Sequence, residues 1–282
     1  MHLPRVLLAS LACAALAACD ATAVSDGGTD AGPADGGLDA GACTTQAPQG
    51  GPEYVGQVSL TTSSSTGTTE FTISAAFWPD YGAAANSGSC AGTASGSCCF
   101  TPPAQAACAE PAQVSAGAVT IDDDDIELAQ LDYSSGYASL DSLRDPAIQW
   151  AAGDTLRVST GGGSLIAGSA SVVAPVALTS VTPAFGSTLA IPKGSAWTVS
   201  WQPTTGAAGV SLTLQDAASN TLTCTAALAA GHLSVPAALL EQLGSSGSAS
   251  ITTVMAADAI TGNSRVRVQA SGPAESAQAT YP

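Results

Sequence analysis

The stretch Phe71-Thr72-Ile73-Ser74-Ala75-Ala76-Phe77 decides the fold class of this chain of 282 residues. Its larger apolar side chains recur at every second position and alternate with small or polar ones. A period of two places them on one face of a β-strand, because successive strand side chains point to opposite faces. The stretch therefore predicts a strand with one buried face.

The same period returns along the rest of the chain. Gly, Ser, Asn and Asp break the pattern at short intervals, which is typical of β-sandwiches and barrels. We therefore predict an all-β fold with two sandwich-like domains. The further predicted strand positions are Val119/Ile121, Ile126/Leu128, Leu156/Val158, Trp197/Val199/Trp201, Val210/Leu212/Leu214, Leu222/Cys224/Ala226 and Val266/Val268/Ala270.

One short helix interrupts this pattern. Ser234 can cap the helix, Pro236 suits its first turn, and Gly244 can end it. The apolar face of the helix is predicted to consist of Leu239, Leu240 and Leu243.

The N-terminus has the organisation of a secretory signal peptide. Arg5 precedes an apolar run from Val6 to Ala18, which at about 13 residues is too short to span a bilayer. The segment Leu16-Ala17-Ala18-Cys19 resembles the lipobox of bacterial lipoproteins. The resemblance implies cleavage after residue 18, diacylation of the Cys19 thiol and a membrane anchor. We expect the lipid anchor to hold the protein to the outer membrane or the cell surface. Asp20 resembles an inner-membrane retention signal, so retention at the inner membrane is the alternative.

Charge excludes one class of partner. The chain has 6 Lys and Arg against 22 Asp and Glu, a net charge of −16. A chain this acidic repels phosphate backbones, so we expect no binding to nucleic acid.

The chain is predicted to divide into a signal peptide, a tether and two domains. Residues 1–18 form the lipoprotein signal peptide, and residues 19–42 form a disordered tether rich in Gly and Asp. An acidic, cysteine-containing β domain is predicted over residues 43–174, and a second β domain over residues 175–282.

Six cysteines besides Cys19 remain after the signal peptide and are disulfide candidates. An exported chain favours disulfides, and six cysteines allow 15 complete pairings. Adjacent Cys98 and Cys99 are expected to pair elsewhere, because a bond between neighbours closes a strained ring. Five candidates lie in the first half, so either one bridge crosses to the second half or two thiols stay free. We predict that Cys90, Cys98, Cys99 and Cys108 form a cluster in the first domain, with Cys43 close by. The candidates are Cys43, Cys90, Cys98, Cys99, Cys108 and Cys224.

Two resemblances support this organisation. The segments Pro183-Ala184-Phe185-Gly186, Gly194 to Trp201 and Leu222-Thr223-Cys224 resemble strands of immunoglobulin-like sandwiches, although residues 175–200 lack the first core cysteine of that superfold. Four segments resemble the uncharacterised secreted lipoproteins of myxobacteria: the lipobox, the tether, Gly96-Ser97-Cys98-Cys99 and Val235-Pro236-Ala237-Ala238-Leu239-Leu240. No activity follows from that resemblance.

Catalytic side chains are scarce. His232 is the only histidine after the signal peptide, and Lys193 is the only lysine. No Gly-x-Ser-x-Gly elbow accompanies them, so we interpret His232 as a loop residue and Lys193 as a turn residue. We predict no catalytic residue, no cofactor and no metal site.

The run Asp122-Asp123-Asp124-Asp125 is the sharpest polar feature. We interpret it as an exposed hairpin turn, since burying four unpaired carboxylates is prohibitively costly. Two alternatives remain open. With Glu127 or Asp132 the run could hold Ca²⁺, or it could supply a glycosidase carboxylate pair.

Trp78 is the best candidate for an exposed contact. Pro79 ends the strand, so Trp78 and Tyr81 could stack on a sugar or a peptide; alternatively, Trp78 continues the core pattern of Phe77.

The sequence thus predicts a non-enzymatic structural or binding module with a membrane partner, through lipid on Cys19, and an unknown protein or glycan ligand. The alternative is a carboxylate-dependent hydrolase of an extracellular polymer.

Overall fold

The computed structural model describes residues 53–65, 68–79, 90, 92–103, 112–124, 126–186, 188–204 and 208–282. The predicted signal peptide, Cys19 and the predicted tether lie outside the described residues, as do Cys43, Cys108, Tyr81 and Asp125. The described part is all-β, which confirms the predicted fold class.

Seventeen strands are present in the described residues. They are β1 (Tyr54–Ser65), β2 (Thr68–Pro79), β3 (Thr93–Ser95), β4 (Cys98–Thr101), β5 (Val119–Asp123), β6 (Ile126–Leu131), β7 (Leu140–Asp141), β8 (Thr155–Thr160), β9 (Gly168–Val173), β10 (Thr188–Ala190), β11 (Trp197–Ser200), β12 (Gly209–Asp216), β13 (Thr221–Ala227), β14 (His232–Val235), β15 (Ser246–Thr261), β16 (Ser264–Ser271) and β17 (Glu275–Thr280).

The largest sheet draws strands from both halves of the chain. Its order is β3-β4-β13-β12-β15-β16-β1-β2-β7, and β17 joins it by pairing with β15 and with β10. Strand β1 lies between β16, with which it is parallel, and β2, with which it forms an antiparallel hairpin. A four-stranded sheet has the order β6-β5-β8-β9, and β11 and β14 form a two-stranded sheet.

The predicted helix is present but begins later and is shorter than expected. It spans Ala237–Leu240, and its N-cap residue is Pro236, with no side-chain cap. Ser234 cannot cap it because it lies in β14, where it pairs with Thr198. A 3₁₀ turn covers Leu228–Ala230. The predicted apolar face is confirmed, since Leu239, Leu240 and Leu243 are all buried.

Two hydrophobic clusters form the core, and each takes residues from both halves. The first consists of residues after 177 together with Cys98 and Phe100. The second consists mainly of residues before 175, with Val266, Val268 and Ala270 from β16. The 16 residues of β15 reach both clusters, so the main sheet runs continuously across the predicted boundary between residues 174 and 175.

The fold-deciding strand lies in the second cluster. Ile73 and Phe77 are fully buried, and Ala75 lies between them. Phe77 packs directly over Gly56 of β1, where an added Cβ would lie 2.1 Å from the Phe77 ring. Glycine is therefore required at position 56 for β1 and β2 to keep this packing.

Two disulfides are present in the described residues, Cys90–Cys99 and Cys98–Cys224. The expectation that Cys98 belongs to a cluster confined to the first domain is wrong. Strand β4 pairs with β13, which brings Cys98 directly opposite Cys224. The partner of Cys224 is therefore supplied by the first half of the chain, through a bond between neighbouring strands of one sheet rather than between two sheets as in an immunoglobulin core.

Candidate functional site

A polar face covers one side of the strands β15, β16, β1 and β2. The opposite side of these strands packs on the second cluster through Val58, Leu60, Ala75 and Val268, among others. Because side chains alternate along a strand, the intervening residues point away from that core. We call the following residues the polar platform: Gln57, Ser59, Trp78, Asp258, Arg265, Arg267 and Gln269.

The register arranges the polar platform in rows across the strands. In the first row, Val55 lies between Trp78 on β2 and Arg265 on β16. Neighbouring strands are about 4.8 Å apart, so the backbones of Trp78 and Arg265 are about 10 Å apart with Val55 between them. Trp78 is half-buried, whereas the adjacent Phe77 is fully buried in the core. Trp78 thus lies on the face opposite Phe77 rather than continuing its core pattern.

An ion pair lies in the second row. Arg267 Nη1 is 3.8 Å from Asp258 Oδ1, and their side chains are 18% and 48% exposed. These two residues, with Arg265, Val55 and Gly56, line a shallow cavity of about 30 Å³. The cavity is large enough for about one water molecule, so a larger ligand would lie on the platform rather than inside it.

Amide side chains complete the polar platform. Gln57 Nε2 donates to Ser59 Oγ over 3.1 Å. Gln269 is only 4% exposed, and its Oε1 has no hydrogen-bond partner among the described residues. This oxygen is itself buried, so it is a polar atom of the sheet interior rather than a contact for a ligand that lies on the platform.

Asp122 and Asp123 are the last two residues of β5, and Asp124 lies in the turn that leads to β6, so among the described residues the predicted exposed turn holds for Asp124 alone. A bulge lies between Ile121 and Asp122, and Asp124 is exposed with φ 53°. Burial raises the pKa of Asp123, and the nearby carboxylates of Asp154 and Asp124 raise it further. In the part of the chain that the structure describes, no three His, Cys, Asp or Glu side chains come together as a metal site.

His232 and Lys193 each contact a backbone carbonyl. His232 is exposed, and its Nδ1 lies 3.1 Å from the Ala230 oxygen. Lys193 Nζ donates to the Leu243 oxygen over 2.6 Å, which ties the Pro192–Gly194 turn to the residues after the helix.

Asp216 is a buried carboxylate at the end of β12 that was not predicted from the sequence. It accepts hydrogen bonds from the backbone N–H groups of Ala218, Asn220 and Gly244 and from Asn220 Nδ2. Burial acts to raise the pKa of Asp216, but these hydrogen bonds outweigh burial and hold the pKa below its ordinary value. The sequence Asp216-Ala-Ala-Ser-Asn220 is typical of a turn that an aspartate side chain stabilises. This pattern could have identified Asp216 from the sequence.

Within the described residues, no helix has the length and apolar character needed to cross a membrane. No family model matches the chain, and no curated protein matches it.

Two solved structures overlap with the chain weakly. One comes from a study of how a 1.5-MDa bacterial ice-binding adhesin is retained on the host cell surface; it is 15% identical, with a TM-score of 0.18. The other is a tetra-tandem repeat from the extending region of a large adhesion protein, 15% identical with a TM-score of 0.19. The overlaps cover 76% and 79% of this chain but only 62% and 49% of the two structures. Overlaps this weak establish neither a common fold nor a common function.

Proposed function

We propose that this chain is a lipid-anchored protein of the cell envelope that acts as a non-enzymatic structural or binding module. Acyl groups on Cys19 hold it to the outer membrane or the cell surface, and the acidic tether over residues 19–42 separates the β region from the bilayer. The lipobox-like segment ending at Cys19 supports the anchor.

The sheet shared by both halves is the observation that carries the module role. Strand β1 begins at Tyr54, close after the tether, and lies in the interior of that sheet between β16 and β2. The Cys98–Cys224 disulfide also joins the two halves covalently. The polar platform lies on this shared sheet, which favours a role in contact with a ligand over a role in catalysis.

The alternative of a carboxylate-dependent hydrolase has less support. Such enzymes hold two carboxyls about 5–5.5 Å apart, or about 6.5–9.5 Å apart in inverting enzymes. The Asp154 carboxylate, which helps to raise the pKa of Asp123, accepts a hydrogen bond from the backbone N–H of Ala151 in its own turn. The hairpin tip at Asp124 is exposed, whereas a general acid needs a sheltered position that raises its pKa.

Lipid labelling tests the anchor. The Cys19→Ser protein is expected to lose fatty-acid incorporation and partitioning into the detergent phase. Cys13→Ser is the matched control, because Cys13 lies in the signal peptide without the Leu-x-x-Cys spacing. Unchanged labelling of Cys19→Ser would refute the anchor, and release of reducing ends from extracellular polysaccharides would refute the non-enzymatic role.

A further inference from the structure

We propose that the polar platform binds an acidic saccharide, namely a glycan that contains hexuronic acid residues. This inference rests on the proposed binding role and names the ligand class of that role. The polar platform offers a cation to bind the carboxylate of the sugar, an aromatic ring to contact the face of the sugar ring, and polar side chains to hydrogen-bond the hydroxyls.

Positive charge is concentrated on the polar platform. Arg5 belongs to the signal peptide, so five of the six basic residues remain, and two of them, Arg265 and Arg267, lie on the same face of β16. Asp258 compensates the charge of Arg267 across the strand pair. Arg265 has no ion pair in the described part of the chain, so its guanidinium supplies the net charge of this row. A guanidinium binds a carboxylate through two parallel hydrogen bonds, which suits a hexuronate.

Trp78 supplies the surface for the sugar ring. Aromatic faces bind apolar C–H surfaces, and an indole ring has a large contact area. Val55, buried between Trp78 and Arg265, makes an apolar floor for the first row. A saccharide lying across this row places its ring against Trp78 while its carboxylate reaches Arg265.

The second row supplies hydrogen bonds to sugar hydroxyls. Asp258 offers carboxylate acceptors and Gln57 offers an amide, and both side chains are accessible to solvent. Hydroxyls both donate and accept, so a saccharide can satisfy this mixed set better than a purely apolar partner can.

The overall acidity of the chain does not prevent such binding. At physiological ionic strength the Debye length is about 8 Å, so distant carboxylates are largely screened. The nearby acid to consider is Glu53, which precedes Val55 by two residues and accepts a hydrogen bond from Asn263 Nδ2 at 3.1 Å. Its carboxylate weakens the attraction of Arg265 for an anion.

Binding to polygalacturonate by isothermal titration calorimetry tests the inference on the full mature chain in detergent micelles. Fully methyl-esterified polygalacturonate is the matched ligand control, because it keeps the backbone and removes the charge. We expect Arg265→Gln and Trp78→Ala each to weaken binding by about tenfold or more, and Glu53→Gln to strengthen it. Arg157→Gln, an exposed arginine on β8, should bind like the unmodified protein.

The outcomes separate the possibilities. Three results would each overturn the assignment of an acidic saccharide. The esterified polymer could bind as well as polygalacturonate, or Arg157→Gln could weaken binding as much as Arg265→Gln does. Phosphatidylglycerol vesicles could also bind more strongly than the polymer, in a way that depends on Arg265. The absence of binding by a protein that melts normally and carries lipid on Cys19 would refute this inference and leave the proposed function intact. Release of reducing ends from the polymer would instead refute the proposed function.

Discussion

Replacing both Cys98 and Cys224 with alanine should destabilise the protein more than removing the Cys90–Cys99 disulfide. The two bridges differ mainly in the length of chain that they close, with sequence separations of 126 and 9 residues. In the chain-entropy model, a disulfide lowers the entropy of the unfolded chain by an amount that grows with the logarithm of the loop length.

The expected magnitudes follow from these separations. The longer loop corresponds to about 5 kcal/mol of unfolding free energy at 25 °C, and the shorter loop to about 2.6 kcal/mol. The predicted difference between the two double variants is therefore about 2.3 kcal/mol. The longer bridge also joins the two halves of the chain, since it links β4 to β13 inside the first cluster.

Equilibrium unfolding in guanidinium chloride under non-reducing conditions measures this difference. The Cys98→Ala/Cys224→Ala protein is compared with the Cys90→Ala/Cys99→Ala protein and with the unmodified chain. Peptide mapping of the unmodified chain first verifies the two pairings. Equal losses of stability in the two double variants, or a larger loss on removal of the shorter bridge, would refute the reasoning.

Three further predictions concern single sites. Asp216→Ala should lower the free energy of unfolding by about 2–3 kcal/mol at pH 7, because four hydrogen-bond donors lose their acceptor; chemical denaturation measures the loss. The folded-state pKa of Asp216 is lowered, so its contribution to the free energy of unfolding is complete above the unfolded-state pKa and disappears as pH falls through the folded-state pKa. The stability of the variant should therefore depend less on acid pH than that of the unmodified protein. An unchanged dependence of stability on pH would contradict this. Millimolar Ca²⁺ should shift the melting temperature little, and Asp123→Asn with Asp124→Asn should leave the fold intact by circular dichroism; a large calcium-dependent rise that vanishes in the double variant would make the run a metal site. Phe77→Ala should lower the free energy of unfolding by about 3–5 kcal/mol, because it removes a fully buried ring that packs edge-on to Tyr137 at a centroid distance of 5.4 Å. A loss below about 1 kcal/mol in thermal or chemical unfolding would show that the second cluster refills the space.

Much of the local structure could be predicted because it depends on neighbouring residues. The alternation from Phe71 to Phe77 identified β2, and the apolar pairs around Asp122 identified the β5–β6 hairpin. Leu239 and Leu240 marked the buried face of the helix. The start of the helix was misplaced because Ser234, a good cap in isolation, is committed to pairing with β11.

The candidate site was predictable only in part. Trp78 stood out because Pro79 ends its strand, but nothing near Trp78 in the sequence indicates that Arg265 lies in the same row. Asp216 was missed because a single acid before a turn is common. Its importance comes from Gly244, which donates to it from 28 residues further along the chain.

The sequence by itself determined the β character of this chain, the position of its turns and the lipobox-like segment at Cys19, since each depends on patterns within a few residues. Only the tertiary structure decided that β1 pairs with β16 and that Cys98 bonds to Cys224. Strand pairing joins residues about two hundred positions apart, and the hydrogen bonds of a β ladder are the same whatever the side chains. The choice of partner therefore depends on how all the apolar faces are buried together, and that choice also assembles the polar platform.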